Sequence, residues 1–202
     1  MRDLEEQLSR LPQPELDTER LASALGRRAQ EAGLADVAYG SMDSPVGELL
    51  VAVTDRGLVR VAFSSELTDD VLAELAERVS PRVLRLPART DEVRRELDEY
   101  FAGSRRQFDL PLDWTLVRGF AQGVLRATAG VPFGETTTYR QMAEAAGSPR
   151  ASRAAGNALG SNPIPIVVPC HRVLHSGGGL GGYAGGLERK RTLLTLEGVL
   201  GA

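Results

Sequence analysis

One cysteine and two histidines in 202 residues leave no route to an internal disulfide and too few ligands for a zinc site of ordinary Cys/His spacing. A structural metal is therefore not expected, and no cofactor is called for. Long apolar runs are also missing. The opening segment, MRDLEEQLSRLPQPELDTER, has acidic residues scattered through it, which rules it out as a secretory signal or a membrane span. A cytoplasmic location with no membrane partner is the expectation. Internal repeats and low-complexity tracts are absent apart from a glycine cluster at 177–186. With 42% hydrophobic and 25% charged residues, the composition is that of an ordinary globular protein.

A strong net charge is lacking too, but the total of −3 conceals an asymmetry. From Trp114 onward, nine Lys and Arg face four acids, Glu135, Glu144, Glu188 and Glu197, a net of +5. Residues 1–113 hold the other 15 bases and 23 acids, a net of −8. A basic half joined to an acidic half suits a chain in which only one part meets an anion such as nucleic acid.

Hydrophobic periodicity divides the chain into three parts: a helical extension over 1–36, an α/β domain over 37–113 and a helical domain over 114–202. Leu4, Leu8 and Leu11, then Leu21, Ala24 and Leu25, predict two short helices interrupted by Pro12 and Pro14. From Val37, three β segments separated by turn-forming residues predict a small antiparallel sheet. Helices follow at 69–79 and 90–101. The segment FDLPLDWT then acts as a linker to helices at 116–128, 138–146 and 148–159. The fold class is therefore α+β. The last two of these helices, with a Thr137 or Thr138 cap and a break at Gly147-Ser148-Pro149, have the outline of a helix-turn-helix. The second is built from small residues, Ala151, Ala154, Ala155, Gly156 and Ala158, beside Arg150 and Arg153. Such a helix can approach either another helix or DNA closely.

The lone cysteine lies in an apolar, proline-bracketed run, Asn162-Pro163-Ile164-Pro165-Ile166-Val167-Val168-Pro169-Cys170-His171-Arg172-Val173. A buried, inert thiol is the commoner fate of such a residue. His171 and Arg172 favour a nucleophile instead, because positive charge or a proton acceptor near sulfur raises the thiolate fraction. His171 can reach the sulfur only if the chain turns at Pro169, since neighbours on a strand face opposite ways. Downstream, Gly177, Gly179 and Gly182 match G-x-G-x-x-G, with Glu197 twenty residues past Gly177. A dinucleotide fold is excluded because no room remains for its helix and second strand. The cluster reads as a flexible loop that brings backbone close to a flat ligand, with Tyr183 available to stack. The last segment, LERKRTLLTLEG, is amphipathic and can place Glu197 behind the site.

The run Pro169-Cys170-His171-Arg172-Val173 resembles the active-site signature of the O6-alkylguanine-DNA alkyltransferases. Pro132-Phe133-Gly134-Glu135-Thr136 with Tyr139 resembles the start of that family's helix-turn-helix, and Ser152-Arg153-Ala154 its recognition helix. Asn162-Pro163 resembles its hinge, and Tyr183-Ala184-Gly185-Gly186 with Leu193, Leu194 and Glu197 its end. The similarity is strong over residues 115–199 and fainter at Asp43-Ser44-Pro45-Val46-Gly47, where the family's first domain begins.

The resemblance implies an α/β domain followed by a helical DNA-binding domain with a (winged) helix-turn-helix. It also implies irreversible transfer of an alkyl group from O6-alkylguanine, and from O4-alkylthymine, to Cys170. His171 would act as base through a water, oriented by Glu197, while Asn162 braces the hinge. Tyr139 would donate to the leaving guanine. Arg153 would fill the stack behind a flipped nucleotide, with Ser152, Ala154 and Gly156 against the DNA. Pro165, Val173, Tyr183 and Ala184 would line the pocket, Val173 and Ala184 through backbone groups. The implied partner is double-stranded DNA carrying O6-alkylguanine, met by a monomer in solution, with cooperativity on DNA left open. Zinc ligands found in some members have no counterpart in the first domain here. A non-repairing sensor of alkylated bases, which lacks the cysteine, is the alternative; a cysteine hydrolase is a third reading.

Overall fold

A computed structural model describes residues 32–201 together with positions 24, 26, 28 and 29. The two helices expected within residues 1–36 fall largely outside the described residues; the four isolated positions are helical. Ala35–Ala202 form one compact unit. Its elements run β1 (Val37–Met42), β2 (Leu49–Thr54), β3 (Gly57–Phe63), α1 (Thr68–Arg78), β4 (Val83–Arg85) and α2 (Asp91–Phe101). They continue with α3 (Gly119–Ala129), β5 (Thr137–Thr138), α4 (Tyr139–Ala145), α5 (Ser152–Gly160), β6 (Val173–Leu174) and α6 (Leu187–Leu196).

The first three strands form an antiparallel meander, with Met42 opposite Leu49 and Leu49 opposite Phe63. The sheet is mixed, however, and not purely antiparallel. β4 adds to β1 in parallel, Val37 opposite Val83, giving the order β3-β2-β1-β4. Three residues, VLR, are too few to show alternation, so this strand leaves no periodic trace in the sequence. One face of the sheet packs on α1 through Val71 and Leu75, and Val93, Leu97 and Tyr100 recur at helical spacing on the buried side of α2.

Strand β3 is the edge that positions the rest. An open edge exposes unpaired N–H and C=O groups, and here two later segments cover it. The linker pairs in parallel with its start, where Leu58 N donates to Pro111 O (2.8 Å) and Asp113 N to Leu58 O (2.9 Å). Further along, Val61 N donates to Pro163 O (2.8 Å), which docks the Asn162-Pro163 hinge directly on the sheet. Arg60, also on β3, is buried and donates to Pro163 O as well (3.3 Å).

In the helical part the starts of two helices come later than their apolar spacing suggests. α3 begins at Gly119 rather than 116, because Trp114–Val117 closes a turn (Val117 N to Trp114 O, 3.0 Å). α5 begins at Ser152 rather than 148, because Pro149 sits in a turn closed by Ala151 N and Ser148 O (2.9 Å). α4 starts as expected: Thr138 and Gln141 form a reciprocal capping box that satisfies two otherwise orphaned donors.

Gly57 holds the linker junction. Its φ of +125° is open only to glycine, and a Cβ there would lie 2.1 Å from Pro111 O. Gly57→Ala should cost about 3 kcal/mol through strain and overpacking. Urea unfolding would measure this, and a loss below 1 kcal/mol would mean that the linker is not held at this point.

Candidate active site

The chain from Asn162 to Val173 is not a strand but a series of turns that ends in a 3-10 turn, Cys170–Arg172, preceded by Pro169. Val168 N closes back on Ile164 O (2.9 Å), and the buried Ile166 takes φ +73°, which is rare for a β-branched residue. The turn expected at Pro169 is therefore present, and it places Cys170, His171 and Arg172 on different sides of one tight bend.

Asn162 braces this bend at three points. Its Nδ2 donates to Val168 O (2.8 Å) and lies 3.1 Å from Cys170 Sγ, while Ile164 N donates to its Oδ1 (3.0 Å). Behind Cys170, His171 is fully buried and its Nε2 lies 2.9 Å from Glu197 Oε1. That contact places the ring proton on Nε2 if the imidazole is neutral, and leaves Nδ1 as an acceptor. Nδ1 has no hydrogen-bond partner among the described residues.

Glu197, the residue that caps the end of α6, also accepts from Tyr100 Oη (2.7 Å) and from Arg172 through Nε (2.9 Å) and Nη2 (2.8 Å). Arg172 reaches on to Val131 O and lies over the Phe133 ring.

In front of Cys170 opens a cavity of about 590 Å³. Cys170 lines it together with Tyr139 from α4, Ser152, Arg153 and Gly156 from α5, and Tyr183 and Ala184 from the glycine loop. Leu159, Gly160, His175 and Gly182 complete its wall. Ala154 is exposed on α5 outside the wall. Val173 and Pro165 are buried and do not line the cavity; Val173 O instead accepts from Lys190 Nζ (2.8 Å).

Residues 37–114 match the ribonuclease-like domain of 6-O-methylguanine DNA methyltransferase, and residues 119–199 match its DNA-binding domain. The chain belongs to this methyltransferase family. A methylated-DNA–protein-cysteine methyltransferase of Mycolicibacterium paratuberculosis is 42% identical over 163 residues, covering 80% of this chain and 92% of that protein. The constitutive methylated-DNA–protein-cysteine methyltransferase of Bacillus subtilis is 38% identical, covering 79% and 94%. The crystal structure of Mycobacterium tuberculosis OGT in complex with DNA superposes with a TM-score of 0.68 at 38% identity, covering 79% of this chain and 92% of that one.

Within this methyltransferase fold, the electrostatics of the thiol differ from the sequence expectation. Burial pushes the Cys170 thiol up to about 11, and the hydrogen bond from Asn162 and the charge of Lys190 only partly oppose it. Arg172 does not ionise the sulfur because its guanidinium is committed to Glu197. Burial also lowers the His171 pKa against the pull of Glu197, so the imidazole favours its neutral form. Burial and the nearby Cys170 raise the Tyr139 pKa, which keeps its phenol protonated.

Two residues of the site carry no readable signal in the sequence. Lys190 is fully buried and donates to Val173 O, Leu180 O and Gly182 O (3.4 Å), so it clamps the glycine loop; burial lowers its pKa to about 8. Helical spacing sets Lys190 on the face of Leu193, Leu194 and Glu197, but a charged ammonium argues for the surface, so its burial is not expected from the sequence. His175 lines the cavity and packs on Tyr139, with ring centroids 5.1 Å apart. The scarcity of histidine was the only hint available. Among the described residues, no group of His, Cys, Asp and Glu could hold a metal, and no helix is long and apolar enough to cross a membrane.

Burial raises the Glu197 pKa, but hydrogen bonds from His171, Arg172 and Tyr100 outweigh it and lower the value from 4.5 to about 2. Between these two pH values the unfolded chain binds more protons than the folded one, so stability falls as pH falls. Urea titrations from pH 5 to 2 should show a loss on the order of 3 kcal/mol that is absent in Glu197→Gln. An identical acid slope in the variant would place the loss in other carboxylates.

Proposed function

We propose that this chain repairs DNA directly, by moving a methyl or other alkyl group from O6 of guanine, and from O4 of thymine, onto Cys170. The observation that carries this reading is the thiol itself. It lies on the wall of an open cavity, within reach of Asn162 and next in sequence to a neutral histidine whose second nitrogen is tied to a buried carboxylate. A sensor that only binds the lesion needs no nucleophile there.

In the proposed reaction, Cys170 Sγ attacks the alkyl carbon in line with the C–O6 bond. A carbon-sulfur bond forms as the carbon-oxygen bond breaks, and the electron pair leaves with the guanine. The thiol proton passes through a water to His171 Nδ1, and from there to the departing base. A thiol held near pKa 11 by burial is a poor thiolate at rest, so proton removal has to accompany attack. Glu197 supports this by stabilising the imidazolium that forms. Tyr139 donates its hydroxyl proton in a hydrogen bond to the guanine ring as negative charge builds there. The product is a thioether with no good leaving group at neutral pH, so each molecule acts once.

The O6 substituent of a paired guanine is out of reach, so the nucleotide must rotate out of the duplex. Arg153, exposed at the cavity wall, fills the gap in this reading, while Ser152, Ala154 and Gly156 let α5 approach the groove. Exposed Arg118, Arg140, Arg150 and Arg153 have no carboxylate partner among the described residues and are available to phosphates. In this reading, residues 114–202 carry the chemistry, residues 37–113 support it, and the protein works as a monomer.

Incubation with an O6-methylguanine oligonucleotide, followed by mass spectrometry, should show the gain of one methyl group on Cys170. Cys170→Ala should lose transfer by at least about 1,000-fold while its affinity for the same duplex stays within about twofold. A methylated product from this variant would remove Cys170 from the mechanism. Arg153→Ala should slow repair of duplex DNA by about tenfold or more but leave reaction with free O6-benzylguanine nearly unchanged, because no base has to be extruded. Equal losses on both substrates would place Arg153 in the pocket or the fold instead.

A further inference from the structure

The glycine loop between β6 and α6 brings Tyr183 and Ala184 to the cavity, yet residues 175–186 contain no helix or strand. Lys190 clamps its middle through Leu180 O and Gly182 O. Its far end, where Tyr183 and Ala184 sit, is held differently. Arg189 Nη1 donates to Gly185 O (2.9 Å), while Nε of the same side chain donates to Val46 O (2.7 Å). Two hydroxyls at the end of β3, on Ser64 and Ser65, each lie 3.3 Å from this guanidinium. Its plane also sits over Phe63, with Cζ 5.0 Å from the ring centroid.

Phe63 in turn meets Tyr183 edge to face at 5.9 Å. The contact is tight: a Cβ at Gly185 would come within 3 Å of both rings. No carboxylate is paired with Arg189 among the described residues. The guanidinium therefore acts as a fork of hydrogen bonds spanning three segments, a task for which its fixed planar geometry suits it and a lysine ammonium does not. Val46 belongs to Asp43-Ser44-Pro45-Val46-Gly47, a turn held by Ser44 Oγ on Gly47 O (2.5 Å), to which the alkyl-transfer chemistry assigns no role.

We infer that Arg189 and Phe63 are positioning residues through which the sheet of residues 37–63 sets the guanine-binding wall formed by Tyr183 and Ala184. This rests on the reading of the cavity as the lesion pocket. Loosening the tie should weaken recognition of the flat base and leave the thiol and its proton relay in place, because Asn162, His171 and Glu197 are fixed by their own hydrogen bonds and His171 meets Tyr183 only edge to face at 6.3 Å.

The test uses the full chain and free O6-benzylguanine, so that DNA binding plays no part. Single-turnover labelling of Cys170 at rising ligand concentration yields an apparent dissociation constant and a limiting rate. Arg189→Met and Phe63→Leu should each raise the dissociation constant about tenfold and change the limiting rate by less than about twofold. The double variant should be no worse than the weaker single one, since both break one chain of contacts. Arg189→Lys should not rescue binding. Labelling of Cys170 by iodoacetamide, which needs no guanine wall, should match the wild type in all of them.

Wild-type protein left unlabelled by O6-benzylguanine would overturn the lesion-pocket reading itself. With the wild type labelled, dissociation constants unchanged in both single variants would overturn this inference alone. So would multiplied effects in the double variant, or an equal loss toward iodoacetamide. Phe63→Leu keeps apolar volume in the core and answers the question if Arg189→Met fails to fold.

Discussion

A single buried carboxylate, Glu197, joins the parts of this molecule that chemistry requires to be close. It accepts hydrogen bonds from the phenol of Tyr100 on α2, from the imidazole of His171 and from two nitrogens of Arg172. A carboxylate out of water is costly unless its lone pairs are filled and its charge is matched, and both conditions are met here. Removing Arg172 would leave the charge uncompensated, and removing Tyr100 or His171 would leave a buried lone pair unfilled, so the ends of α2 and α6 and the turn that carries the cysteine are obliged to pack as one group. The histidine tautomer follows from the same contact.

The thiol stands at the edge of this group, and its setting is restrained. Burial holds it protonated, and the cation two residues on, Arg172, is drawn away by Glu197. A thiolate exposed to solvent would react with adventitious electrophiles or oxidants; in the proposed reaction, where each molecule acts once, every such event is a lost molecule. In that reaction, coupling ionisation to the arrival of a guanine leaving group avoids the loss. In the proposed reaction the neutral histidine and the protonated Tyr139 serve the same end, one as acceptor and the other as donor.

The sheet contributes through its edge. β3 is completed by the linker at Leu58, by the hinge at Pro163 and by the Arg189 fork beyond Phe63. Three segments distant in sequence are thus aligned on one strand, and the cavity lies between α5, which leads into the hinge, and the glycine loop. An edge that would otherwise be an aggregation hazard becomes a template for the site.

Much of this is present in the sequence by itself. Alternating apolar residues determined β1, β2 and β3, the cap signal at Thr137 or Thr138 located the start of α4, and the family motifs pointed to Cys170, His171, Tyr139, Asn162 and Glu197. These features are local or are carried by short runs, so neighbouring residues suffice to reveal them. Tertiary structure alone decided the parallel β4, the burial of Lys190, the packing of His175 on Tyr139 and the span of Arg189 across three segments. It also decided the state of the thiol: beside His171 and Arg172 the sequence favours a lowered pKa, whereas burial raises it. A pKa depends on the dielectric around the group and on which partner holds each charge. Both are set by residues that meet only when the chain has folded.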